Sequence, residues 1–351
     1  MDFTFNEDQL LFQETVRDFL VKEVTPDKIR ELWQSETGRD DPLWAQMAEM
    51  GLTGMTVPED FGGLGMNEVD FVLLAQECGY VALPEPLVQT AMVAVPTLLA
   101  ADNEEINSYW LPKIAEGSAR VVVGLEQNLL VEDAHVADLM LLEKAGALYA
   151  VEKGEAEITL NESVDPSRKL FTVSFNENNA TLLAEGEKAD TLIEGALNRG
   201  ALGVAAQCLG LAQRMIDLSV QYTSERQQFG VAIGTFQAVK HHMANIAYKL
   251  EYAKSPVARA AYALANDLPN AAVNVSHAKF AAAEVGDLAA KNCIQVHGAM
   301  GYTWEVDLHI FMKKAWAYNN TWGNAAFHKN RVADFIFQPD APLGAGNTFQ
   351  V

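Results

Sequence analysis

The sequence predicts a mostly α-helical fold with a small central β-domain, and three observations carry that prediction. Apolar residues recur at helical spacing in the first third, short alternating apolar runs occupy the middle, and long patterns rich in Ala and Gly fill the remainder. The implied division is an N-terminal helical domain over 1–118, a reduced β-domain over 119–190, a C-terminal four-helix bundle over 191–337 and an irregular tail over 338–351. With 351 residues and nearly half of them apolar, the chain can bury a substantial core in two or three domains.

The first helix has a start signal. Asn6 can cap it, Gln9 completes a capping box, and Phe5 can staple onto Leu10. Phe12, Val16, Phe19, Leu20 and Val24 then line one face, with Pro26 near the end. Asp41-Pro42 starts another helix with Leu43, Met47 and Met50 on one side and Gly51 at its end. Pro58 and Gly62-Gly63 then break regular structure before Asn67 caps a helix running through Cys78, and further helix follows Pro84 and Pro86 up to residue 118.

From Arg120 the period changes. Val121–Leu125, Leu139–Leu142, Leu148–Val151, Ile158–Leu160, Phe171–Phe175 and Ala180–Leu183 read as strands of a small antiparallel β-domain. Helical periodicity returns after Asp190, in patterns over 201–225, 235–265 and 270–292 whose small side chains allow close packing.

Charge and composition exclude several classes. A net charge of -22 repels nucleic acid and anionic membranes, no apolar run reaches membrane-spanning length, and the acidic start MDFTFNEDQ is unlike a signal peptide, so a cytoplasmic protein is expected. Cys78, Cys208 and Cys293 lack any metal or CxxC spacing and read as free buried thiols. His241-His242 has no metal-ligand spacing either.

Two stretches carry chemistry. In Arg226-Gln227-Gln228-Phe229-Gly230, Gly230 can stop a helix that restarts near Thr235. An Arg, amide side chains and an aromatic face suit a pyrophosphate and a flat heterocycle; a salt-bridged helix hairpin is the alternative. In Ile294-Gln295-Val296-His297-Gly298-Ala299-Met300-Gly301-Tyr302 a helix ends at Gly298 in a turn whose backbone amides can hold a phosphate, or which is merely structural. His297 reads as a packed residue rather than an acid or base.

Together these stretches resemble the acyl-CoA dehydrogenase family. R-x-Q-F-G followed by I-G-x-F-Q-A-V-K-H over 226–241, a Q-x-H-G loop from Gln295 and a V-P-E-x-x-G-G-x-G loop over 57–65 match its motifs in order. The resemblance implies the family's fold, FAD as cofactor, an acyl-CoA thioester as substrate and an electron-transfer flavoprotein as electron acceptor. It implies FAD contact through Arg226, Gln228, Phe229, Gln237, Gln295, Val296, Gly298 and Gly301, at the adenine and pyrophosphate end of a cofactor whose flavin lies in another subunit. A homo-oligomer, or a heteromer with a homologous subunit, is therefore expected. A polyanionic thioester needs local positive charge, and Arg214, Arg226, Lys240, Lys313, Lys314 and Arg331 are the cluster available by sequence neighbourhood.

The departures are as informative. Ala299 replaces a glycine of the loop, Gly124-Leu125-Glu126-Gln127-Asn128 stands where the family has T-E-P-x-x-G-S-D, and the β-domain has no Trp. The family removes an α-proton with a Glu while the β-hydrogen leaves as hydride to flavin N5. Ungapped counting puts Trp322 at one of the family's two positions for that Glu and Gly200 at the other. Glu194, Glu305 and Asp307 are the nearby acids, and each reads better as a helix-start or surface charge, leaving the base unknown. These losses resemble the short subunits of heteromeric acyl-CoA dehydrogenases. A homodimer with an unrecognised base, a flavin monooxygenase of the same fold and a non-catalytic scaffold remain as alternatives.

Overall fold

In a computed structural model, the structure describes residues 4–344; the far end of the expected tail, 345–351, lies outside them. The capping box closes as expected. Gln9 N donates to Asn6 Oδ1 at 2.8 Å and Asn6 N to Gln9 Oε1 at 2.9 Å, opening α1 (Glu7–Glu23). Pro26 then does more than follow a helix: it opens a second one, α2 (Pro26–Gln34), capped by Thr25 Oγ1, which accepts from Lys28 N at 3.2 Å. At the first helical position its missing N–H costs nothing. Asp40 caps α3 (Asp41–Glu49), and Asn67 Oδ1 accepts from Val69 N at 2.9 Å at the head of α4 (Glu68–Tyr80). A wide π-helical segment, Val88–Ala94, leads into α5 (Val95–Ala101), and α6 (Glu104–Ala115) follows.

Seven strands come next: β1 (Val121–Gly124), β2 (Val131–Glu132), β3 (Leu139–Lys144), β4 (Ala147–Glu152), β5 (Ala156–Asn161), β6 (Leu170–Phe175) and β7 (Thr181–Ala184). They form two sheets, ordered β1-β3-β4-β7 and β2-β6-β5. The expected all-antiparallel arrangement needs correcting, because β1 pairs with β3 in parallel, Val121 opposite Leu139. Between them the chain visits the other sheet through the unexpected β2, and that detour is the crossover that parallel neighbours require. Val122, Val131, Met140, Leu142, Val151 and Phe171 share the core of this domain. Strand β1 is an edge, and the π-helical segment satisfies it. Thr90 Oγ1 donates to Val121 O at 2.9 Å and accepts from Val121 N at 3.3 Å, while Gln89 Oε1 accepts from Val123 N at 3.5 Å. An open edge is thereby covered.

The C-terminal part is helical. A single helix of 40 residues, α7 (Gly186–Glu225), precedes a small hairpin, β8 (Gln227–Gln228) with β9 (Val231–Ala232), and then α8 (Gln237–Ala265), α9 (Ala271–His297), α10 (Leu308–Tyr318) and α11 (Ala325–Ile336). Helix α9 packs against α8, α10 and α11, and Gly286 brings it against Cys208 of α7. Residues 338–344 are turns and irregular chain.

The chain forms two compact units, one built from residues up to 21, 72–83 and from 204 onward, the other from 22–71 and 84–203. In the first, Glu77 is fully buried and paired with Arg17 at 2.6 Å, and Tyr80 Oη donates to Asp217 Oδ2 at 2.9 Å. In the second, Arg39 is buried, pairs with Asp133 and donates to the Gly38 and Ser167 carbonyls at 2.6 and 2.9 Å. Beside it Glu85 Oε1 accepts from Asp40 N at 2.7 Å and Oε2 lies 3.7 Å from Arg120 Nη2. Burial outweighs the two arginines and pushes the Glu85 carboxyl up to about 7.

The folded chain therefore holds a proton at Glu85 that the unfolded chain releases, so this stabilisation is complete below the ordinary carboxylate range and is lost as pH rises through about 7. Glu85→Gln should flatten the fall in stability from about pH 5 to about pH 8, a difference of roughly 3 kcal/mol in urea unfolding. An unchanged pH slope in the variant would show that another group titrates.

Candidate functional site

The Arg226 stretch is built on the end of α7. Arg226 N still bonds to Tyr222 O at 2.9 Å, but the helix stops at Glu225 rather than at Gly230, and Ile233 N donates to Arg226 O at 2.8 Å to close the hairpin. Phe229 and Gly230 form its two-residue turn with φ of 56° and 80°. Such a turn favours Asn-Gly, and a bulky side chain in its first position is strained. The strained residue is displayed: Phe229 is 93% exposed, with the Phe236 ring edge-on at 6.2 Å. Arg226, Gln228 and Gln237 are also exposed. Among the described residues the Arg226 side chain has neither an ion pair nor a hydrogen bond, so the salt-bridged helix hairpin is not what forms.

The second stretch lies at the end of α9. Gly298 adopts φ 59°, ψ -136°, a backbone region that belongs to glycine, and a Cβ there would meet nothing within 4 Å. Gly301 has the opposite reason for being glycine: a Cβ would sit 2.9 Å from Ile294 Cγ1 and 3.0 Å from its carbonyl. Gln295 and Ala299 are exposed, whereas the side chain of Val296 is buried. The Ala299 methyl thus lies at the surface of the loop.

The structure brings the two stretches together. The Tyr222 and His297 rings stack at 4.3 Å and 18°, and Tyr222 Oη donates to His297 O at 3.4 Å. Burial lowers the His297 pKa, and its Nδ1 bonds to Cys293 O at 2.8 Å, so the ring is packed, as expected. Sequence reasoning missed Tyr222 as part of the site; its only signal was an aromatic one turn before Arg226.

Neither counted position for a base holds one. Trp322 is 3% exposed with φ 56°, followed by Gly323 at φ 91°. Its carbonyl accepts from His328 Nε2 at 2.8 Å, and His328 Nδ1 accepts from Ser276 Oγ at 3.1 Å. Burial pushes His328 down to about 4, keeping it neutral. Lys279, itself buried, donates to Tyr318 O at 3.0 Å, so the whole turn after α10 is held from inside. Gly200 is buried within α7; Glu194 and Glu305 are exposed, and Asp307 borders α10 half-buried.

The expected basic cluster does not form one patch. Lys314 is buried and donates to Leu83 O at 3.2 Å, Arg214 lies over the Tyr80 and Phe311 rings, Lys313 over Trp304 and Arg331 over Phe327. Only Arg226 and Lys240 of the six are fully exposed, because the helix faces that carry the others turn inward or onto aromatic rings. In the β-domain, the loop after β1 is braced by Ala145 N donating to Glu126 Oε1 at 2.8 Å, and it displays Leu129, 86% exposed. His242 bonds to Asn292 at 3.1 Å. Among the described residues no cluster of three or more His, Cys, Asp or Glu could hold a metal, and no helix is long and apolar enough to cross a membrane. The three cysteines are free and buried, and burial pushes Cys208 up to about 11 and Cys293 to about 12.

Comparison with known proteins adds to this geometry. The acyl-CoA dehydrogenase C-terminal domain matches residues 191–337 and the acyl-CoA dehydrogenase N-terminal domain residues 6–118. Acyl-CoA dehydrogenase IpdE2 of Mycobacterium tuberculosis is 31% identical, over 88% of this chain and 91% of that protein. Among solved structures, a chain of the ChsE4-ChsE5 complex from Mycobacterium tuberculosis superposes with a TM-score of 0.85 at 22% identity, covering 97% of this chain and 100% of that one. Butyryl-CoA dehydrogenase from Megasphaera elsdenii gives 0.83 at 19% identity, covering 96% and 100%. At such identities the structural likeness speaks for the fold.

Two substitutions check the geometry. Phe229→Asn supplies the residue this turn prefers and should leave the melting temperature unchanged or raised, by relief of roughly 1 kcal/mol of strain; a lower value would mean that Phe229 is packed rather than displayed. Trp322→Glu puts a carboxylate in place of a buried ring and should cost about 3 kcal/mol or more in denaturant unfolding. A stable variant would show that the turn opens to solvent.

Proposed function

The chain belongs to the acyl-CoA dehydrogenase family of oxidoreductases, and from that premise we propose that it is one subunit of an FAD-dependent enzyme that draws its catalytic base from a partner subunit. One observation carries this reading: the first unit presents an open, uncompensated Arg226 and a displayed Phe229, while Trp322 is locked inside the bundle. The donor set fits the adenine and pyrophosphate end of FAD. The Arg226 guanidinium has its fork available for phosphate oxygens, Phe229 offers a stacking face, and Gly298 leaves backbone unobstructed. Bound FAD would supply the hydride acceptor. The residues of this chain would bind and orient it, while the two family positions for the base hold Trp322 and Gly200, neither of which can take the α-proton of an acyl-CoA thioester. The ring end of the flavin, the base and the substrate pocket then fall to a homologous partner, with an electron-transfer flavoprotein as the onward acceptor. That a fold neighbour is the ChsE4-ChsE5 complex supports an assembly of unlike chains.

The test is co-expression with a homologue that carries Tyr-Glu-Gly-Thr at the base position, followed by a flavin spectrum and turnover of acyl-CoA thioesters with a ferricenium-type acceptor. The chain alone should be inactive and the pair active, and Arg226→Ala in the pair should weaken FAD binding by about 1.5–3 kcal/mol. Robust turnover by the isolated chain would overturn the partner model.

A further inference from the structure

The hairpin that carries Arg226 and Phe229 has little of its own to hold it. Its residues are exposed from Arg226 to Val231, and it rests on the last turn of α7, where Gly234 approaches the Thr223 carbonyl so closely that a Cβ would lie 3.0 Å away. Gly298 and Ala299 are likewise exposed at the end of α9, with Gly301 buried against Ile294 behind them. What fixes the two relative to each other is the pairing of their parent helices. Cys293 Sγ donates to Met215 O at 3.3 Å, and two turns further along α7 the Tyr222 ring stacks on His297. These rings, 75 residues apart in sequence, stand immediately before the two stretches: Tyr222 one turn ahead of Arg226, His297 adjacent to Gly298. His297 is also held from its own helix, through Nδ1 to Cys293 O at 2.8 Å, and its carbonyl takes the Tyr222 hydroxyl at 3.4 Å. The joint is therefore a flat aromatic contact in which the His297 ring is held by its own helix and the Tyr222 hydroxyl by the His297 carbonyl.

We propose that Tyr222 and His297 are positioning residues, a single joint that holds the Arg226 hairpin and the Gly298 turn at a set separation so that the two act as one site. The FAD identity of the ligand rests on the reading above; the joint itself does not. A shift of either ring moves an arm of the site, because the stack is the contact that directly abuts both arms; further back, Cys293 Sγ to Met215 O joins α9 to α7 and His242 to Asn292 joins α8 to α9.

The experiment uses the full chain in two settings. On the chain alone, amide hydrogen exchange of residues 227–233 is compared in the wild type, Tyr222→Leu, Tyr222→Phe and His297→Leu. On the co-expressed pair, FAD release is followed by flavin fluorescence. An aromatic stack of this kind is worth a factor of roughly three to ten, so Tyr222→Leu should speed hairpin exchange and raise the FAD dissociation constant by that factor, and Tyr222→Phe, which keeps the ring, should restore both to near wild type. His297→Leu should match Tyr222→Leu, with the double variant no worse than either single one. Unchanged hairpin exchange in both leucine variants, failure of Tyr222→Phe to rescue, or additive effects in the double variant would each overturn the joint. Should Tyr222→Leu not fold, the His297→Leu and Tyr222→Phe pair decides. A pair that binds no FAD at all would count against the functional reading, and the exchange data would still decide on the joint.

Discussion

The crossing of α4 and α7 is the constraint on which the first unit depends. A Cβ added at Gly79 would collide with the Gln207 carbonyl, and one at Gly210 with the Gln76 carbonyl, so backbone meets backbone at both places. Helices this close have no freedom to slide, since any shift drives main chain into main chain. The pairing of half-exposed Arg17 with buried Glu77 and the Tyr80–Asp217 bond then tie α1 and α4 to their neighbours around the contact. With the axis of α7 fixed, its far end delivers Tyr222 to His297 and Arg226 to the surface. The geometry of the candidate site is set about four helical turns away along α7 from the residues that make it.

Two bulky residues share an unusual backbone and meet opposite fates. Phe229 and Trp322 both have φ 56°, a conformation that costs an ordinary side chain of order 1–3 kcal/mol. Phe229 is thrust into solvent at 93% exposure, where nothing in the chain itself repays the strain. Trp322 is buried and its carbonyl clamped by His328, so the strain is offset by the turn it completes. Strain that is unrepaid within the chain points outward to a ligand or subunit; strain repaid inside points to structure. This contrast favours a chain that contributes to a cofactor site yet performs no proton abstraction of its own.

Much of the fold was legible because local signals and packing agree. Asn6 and Gln9 form the capping box their spacing suggests, Asp41-Pro42 opens a helix, and the strands begin at Val121, next to the change of apolar period at Arg120, although α7 starts at Gly186, ahead of the Asp190 after which helix was expected. What escaped depended on distant partners. Pro26 reads as a stop as readily as a start, and only Thr25 Oγ1 reaching Lys28 distinguishes them. The parallel β1–β3 pair follows from a detour through a two-residue strand too short to carry a pattern. At the site, the letters of both stretches could be read, but not that Arg226 would be left without a partner while Lys314 sank into the core. Residue type shows what a side chain can do; helix rotation decides where it points.

The most direct measurement is the flavin content and mass of the purified assembly, by absorbance together with native mass spectrometry, for the chain alone and for the chain co-purified with a base-carrying homologue. One FAD for each pair of unlike chains, and none held by the isolated chain, is the expected result. An isolated chain that assembles with itself, carries a full complement of FAD and dehydrogenates an acyl-CoA would contradict it.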